Sequence, residues 1–90
     1  MKTIWKYTLE TTDYQTIEMP AGSQILTVQT QFFDPMLWCL VDDTKPNVLR
    51  EIRIIGTGHS IENTLELIYI GSYQLNGGHH IFHVFERVQL

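Results

Sequence analysis

The stretch Gly56-Thr57-Gly58-His59-Ser60 gathers more ligand-handling groups than any other five residues of the chain. Two glycines let the backbone turn so that successive N–H groups converge on an anion, while Thr57 and Ser60 offer hydroxyls and His59 a ring N–H. A phosphate or diphosphate is the natural guest. Arg53, three residues upstream, can add a charge-assisted bond to that phosphate. The string lacks the Gly-Lys-Ser/Thr ending of a Walker loop, and no helix follows that would make it a dinucleotide fingerprint. A tight β-turn whose glycines only solve a backbone problem is the plainer reading of the same letters.

Four histidines, His59, His79, His80 and His83, raise the question of a metal. On a strand His79 and His83 share a face and His80 points away, so a three-histidine site needs His59 brought in by tertiary packing, with Glu86 or Asp42 nearby. Nothing in the spacing fixes such a site, and neither metal nor cofactor is expected. Cys39 lies inside an apolar run, where a thiol is inert, and Ser60 has no nucleophile elbow around it. Asp42 and Asp43 fall in a turn and read as a solvated acidic tip. No catalytic residue is expected, and the chain is read as a non-enzyme. Ten of the ninety residues carry an aromatic ring. Most of them belong to core or interface, and Trp38 is the ring expected beside a bound base, with Trp5 the other choice.

The elements that must position these groups are strands. Period-two alternation marks residues 3–9, 14–19, 24–32, 48–55, 65–74 and 79–88, and the apolar run 36–42 reads as a central strand buried on both faces. Residues 14–19 are expected to return against 3–9 as a hairpin, and Leu26, Val28 and Phe32 are expected on one face of the third strand. Turn chemistry separates the runs: Pro20-Ala21-Gly22-Ser23, Asp34-Pro35, Lys45-Pro46-Asn47 and Asn76-Gly77-Gly78. Gly71 interrupts its strand and predicts a bulge or a close backbone approach. One helical turn is allowed within 60–67. The fold class is therefore all-β, a small antiparallel sandwich or partly open barrel of about seven strands in a single domain spanning 1–90.

Composition narrows the partners. Ten acidic residues against six basic ones give a formal charge of −4, and the basic residues are scattered. Duplex nucleic acid needs a basic face, and none is written. No apolar run is long enough for a membrane span. A domain of this length buries only about 60% of the surface its unfolded chain exposes, and a single cysteine cannot form an internal disulfide. Self-association is the expected support, in a cytoplasmic setting.

Several strings stand together in the chain: Trp5-Lys6-Tyr7, Ile17-Glu18-Met19-Pro20-Ala21-Gly22, Leu37-Trp38-Cys39-Leu40-Val41, Gly56-Thr57-Gly58-His59, Tyr69-Ile70-Gly71-Ser72 and Phe82-His83-Val84-Phe85-Glu86. From end to end the chain resembles a family of small, mostly uncharacterised proteins of phages and bacterial genomes. The usual family form has Ala at the place of Cys39, which implies a non-catalytic cysteine. The chain also looks like phage anti-defence sponges. That likeness implies a homo-oligomer in the host cytoplasm that sequesters a nucleotide-derived immune signal, a cyclic dinucleotide or an ADP-ribose derivative. The implied contacts are Arg53, Thr57, Gly58 and His59 at phosphate and Trp38 at the base. The alternative is a protein–protein interaction module that inhibits a host protein through a sheet edge and an aromatic patch.

Overall fold

Alternating apolar and polar residues give six of the runs one face to bury, and these six with the apolar run 36–42 form seven strands. They are β1 (Lys2–Thr8), β2 (Tyr14–Pro20), β3 (Gln24–Gln31), β4 (Asp34–Asp42), β5 (Asn47–Gly56), β6 (Leu67–Leu75) and β7 (His80–Arg87). The computed structural model describes residues 1–88. All pairings are antiparallel: β1-β4-β3 make a three-stranded sheet and β2-β5-β7-β6 a four-stranded one. The two sheets face each other as an open sandwich, and among the described residues no ladder closes it into a barrel. Among the described residues no helix is long and apolar enough to cross a membrane.

The core lies between the sheets. Leu37, Cys39 and Val41 of β4 meet Met19, Ile52 and Val84 of the opposite sheet, all at most 1% exposed. Full burial of such side chains is worth roughly 1.5–3 kcal/mol each, and this layer is the main source of stability. β4 is central, as expected, but only one of its faces is buried. Met36, Trp38 and Leu40 alternate onto an outer, half-exposed face because no third layer covers the small sheet.

The pairing of β1 differs from the expected hairpin. β1 pairs with β4 and β2 with β5, so the chain changes sheets between residues 8 and 14. Five residues separate the two strands, which is ample for a sheet-to-sheet crossing, and Leu9 anchors the crossing by donating its N–H to the Pro35 carbonyl at 2.9 Å. Along one side, β3 and β6 approach without pairing. Each carries a register shift there, between Ile25 and Thr27 and between Tyr69 and Gly71. The expectation for Gly71 holds in both forms, since a Cβ built on it would lie 3.0 Å from Val28 Cγ1.

The β3–β4 hairpin turns on Phe32 and Phe33 and the bulge between Ile25 and Thr27 leaves Leu26 exposed, so neither Phe32 nor Leu26 shares the buried face of Val28 as expected. Both phenylalanines adopt positive φ, 50° and 72°. That is the backbone of a type I′ turn, which normally takes Asn-Gly. A left-handed residue with a side chain costs about 1–2 kcal/mol, and neither ring recovers this by burial, at 85% and 93% exposed.

β5 and β6 lie on either side of β7 and both run antiparallel to it. The connection 57–66 must therefore carry the chain back along the sheet. It begins with the Gly-Thr-Gly-His string and ends in a single 3₁₀ turn, Thr64–Glu66, within the segment where a helical turn was allowed. Val88 fastens that turn by donating to the Glu66 carbonyl at 2.8 Å.

Candidate functional site

β5 ends at Gly56, in register with Phe82 of β7. The chain then reverses through Thr57 and Gly58: His59 donates its N–H to the Gly56 carbonyl at 3.0 Å, and Gly58 takes φ 88°. Positive φ at the second central residue only is the type II arrangement, and it requires glycine there. The N–H groups of Thr57 and His59 are both used within the protein, the former on the Ile81 carbonyl at 3.1 Å. The string is thus a hydrogen-bonded turn that aims a side chain, and these N–H groups do not converge on an open anion nest. The aimed side chain is His59, whose ring lies on Gly56 so closely that a Cβ there would come 2.9 Å from its Cε1.

On the neighbouring hairpin, Leu75 and His80 are paired at the end of the β6–β7 ladder, and Asn76–Gly78 turn the chain between them. Gly77 and Gly78 adopt φ 64° and 91°. His79 lies in this turn, before β7 begins, so it does not share a strand face with His83 as the sequence suggested. The result is a cleft of about 390 Å³ lined by Gly56, Thr57, His59, His79, His80, Ile81 and Phe82. Phe82 is braced from the core by Tyr73, its ring stacked at 5.5 Å. The lining offers three imidazoles, one hydroxyl and an aromatic surface, with no carboxylate. Among the described residues no cluster of three His, Cys, Asp or Glu side chains is arranged to hold a metal ion.

The other expected contacts lie elsewhere. Arg53 donates its Nε–H to the Asp13 carbonyl at 2.9 Å and rests 5.5 Å from the Tyr14 ring. Trp38 belongs to the opposite sheet and carries Lys6 Nζ over its ring at 5.9 Å. Of the five residues, Thr57 and His59 line the cleft, Gly58 shapes its turn, and Arg53 and Trp38 take no part in it.

His83 has a separate position. Its Nε2 is 2.7 Å from Thr57 Oγ1 and its Nδ1 is 2.8 Å from the Tyr69 hydroxyl. Thr57 donates its own hydroxyl proton to the Ile81 carbonyl at 3.3 Å. The neutral ring therefore fits as the Nε2–H tautomer, donating to Thr57 and accepting from Tyr69. Both nitrogens are occupied, on a face of β7 that alternates away from Phe82 and Val84.

Cys39 is fully buried, and burial pushes its thiol up to about 11. A thiol held protonated is no nucleophile.

Sequence reasoning missed one polar feature. Arg50 and Glu86 form an ion pair inside the opposite end of the sandwich, with Nε donating to Oε2 and Nη2 to Oε1 at 2.9 Å. Arg50 Nη1 also donates to the Ser23 carbonyl at 2.8 Å, tying β5, β7 and the β2–β3 turn together. The signal was present: Arg50 shares parity with Ile52 and Ile54, and Glu86 with Phe82 and Val84, so both charges fall on core-facing positions. The pair forms part of a second cleft of about 400 Å³, flanked by the bulges near Leu26 and Ile70. Arg50 is already committed to three acceptors, and this cleft reads as a structural clamp.

Fold and clefts together define a small two-sheet β-sandwich protein with a histidine-lined cleft at one end. The chain belongs to the family described as Domain of unknown function (DUF7352), which it matches over residues 1–90. No curated protein and no solved structure matches it.

Proposed function

We propose that the protein is a non-catalytic binding protein that holds a nucleotide-derived anion in the cleft between Gly56–His59 and His79–Phe82. The observation that carries this reading is the lining itself: three imidazoles around an aromatic surface, without a carboxylate to repel an anion. Imidazole N–H groups bind phosphate oxygens, and Phe82 offers a surface for a base or sugar ring. Arg53 and Trp38 drop out of the proposed contact set, and His79, His80 and Phe82 enter it. A binder with no catalytic group withholds its ligand from other proteins instead of converting it. That is the role implied by the likeness to phage proteins that sequester nucleotide immune signals.

The test is thermal unfolding with ADP-ribose, a cyclic dinucleotide and inorganic phosphate as probes. A ligand at a hundred times its Kd stabilises the folded state by about 2.7 kcal/mol. In a domain of this size that raises Tm by on the order of ten degrees. His59→Ala should abolish the rise while leaving the Tm of the empty protein nearly unchanged. No shift with any probe, together with specific binding to another protein, would replace this reading with the interaction module.

A further inference from the structure

We propose that the Phe32–Phe33 hairpin tip is a docking anchor whose occupant site is the histidine-lined cleft of a second copy of this chain, in a reciprocal two-fold dimer. The tip breaks a local rule without gaining anything inside the subunit. Two phenylalanines hold left-handed backbone where Asn-Gly would rest unstrained, and both rings stand in solvent. Strain kept at a surface position, with no contact to reward it, points to a contact made outside the subunit.

The second copy is chosen on three grounds. First, tip and cleft lie at the same end of the sandwich. Thr30, one residue before the paired Gln31–Asp34 base of the tip, shares a hollow with Gln74, and β6 continues from there into the turn that carries His79 and leads to His80 of β7. Two features at one end can exchange reciprocally about a single two-fold axis, which closes the assembly at a dimer. Second, the area suffices. Each phenyl buries roughly 150–200 Å². Four rings with the surfaces they cover bring the total to roughly 1,200–1,600 Å², the size of a standard stable interface. Third, the chemistry matches, since Phe82, Ile81 and the imidazole face of His80 are suitable neighbours for phenyl rings. A lipid surface fits less well, because the chain carries a net charge of −4 and Asp34 flanks the tip.

One cleft takes one occupant. Resting in this clause alone on the proposed ligand, the inference makes docking and nucleotide binding mutually exclusive, so ligand would shift the dimer towards monomers.

The experiment is sedimentation equilibrium without ligand, on the wild-type chain, Phe32→Asn/Phe33→Gly and His80→Glu. The wild type should weigh twice the 10.5 kDa chain mass at tens of micromolar. The tip variant should be monomeric and, because its turn is relaxed, should melt higher than the dissociated wild type at equal dilution. His80→Glu should weaken the dimer at least tenfold. A wild-type monomer, a tip variant that still dimerises, a dimer indifferent to His80→Glu, or a wild-type monomer that instead binds lipid vesicles through the tip would each overturn the proposal. The monomeric tip variant then serves for nucleotide titration: failure to bind there counts against the ligand and leaves the dimer standing.

Discussion

Gly71 stands against Val28 where β3 approaches β6, with 3.0 Å between the position of a Cβ at 71 and Val28 Cγ1. Val28 is buried in the core at 4% exposure, so its methyl yields only by shifting packed neighbours. Gly71→Ala should therefore destabilise the fold by about 1–2 kcal/mol through overpacking. Val28→Ala in the same chain should recover part of that loss. A urea double-mutant cycle that finds the two changes additive would mean that the sheets are not pinned at this point.

The Arg50–Glu86 pair gives a second, independent test of the core. Its side chains are 21% and 12% exposed, so removing one partner strands a largely desolvated charge. Glu86→Gln should cost about 3 kcal/mol, and the double change Arg50→Met/Glu86→Leu should lie closer to wild type than either single change. Equal losses for the double and single variants in urea unfolding would show that charge itself is required there.

Alkaline unfolding follows from Cys39. Burial raises the thiol to about 11 in the folded state, whereas in an unfolded chain it ionises near 9. A group whose folded pKa is raised contributes stability in full below its unfolded pKa and loses it as pH climbs through the folded value. Stability should therefore fall between about pH 9 and 11, by on the order of 2–3 kcal/mol. Cys39→Ala should flatten that decline, at a cost of about 1 kcal/mol at pH 7 for the lost core contact. Burial also raises Tyr7 and Tyr73, so a remnant of the alkaline loss should persist above pH 10 in the variant.

How much of this was legible in the residues divides along one line. Period two marks six strands within a residue or two and a continuous apolar run marks β4, and Gly71, Asn76-Gly77-Gly78 and the turn at Pro20–Ser23 are written in local chemistry. Pairing is not local. β1 finds β4 across some thirty residues, and no alternation pattern names a partner. The candidate site was legible in part for the same reason. Thr57, Gly58 and His59 are adjacent in sequence, while His79, His80 and Phe82 arrive through the ladder between β5 and β7. Arg53 was expected at the ligand because it is three residues from the turn. On a strand that odd offset puts it on the opposite face from Gly56, and it spends its guanidinium on Asp13.

Gly56 separates a ligand role from a structural one. Its φ is not positive, so alanine is conformationally permitted, and the three atoms nearest the added Cβ all belong to the ring of His59. Gly56→Ala should change stability by less than about 1 kcal/mol yet lower nucleotide affinity at least tenfold by displacing that ring. Calorimetric titration of the folded variant measures it. Unchanged affinity would remove His59 from the site.

The most direct measurement follows the four histidine side chains by nuclear magnetic resonance while ADP-ribose or a cyclic dinucleotide is titrated into the monomeric tip variant. His59, His79 and His80 line the cleft, whereas both nitrogens of His83 are taken by Thr57 and Tyr69, so the chain carries its own control. Saturable shifts at the first three, each larger than the indirect shift that reaches His83 through Thr57, are the predicted result. Shifts at none of the three, or at His83 alone, would contradict a nucleotide site in this cleft.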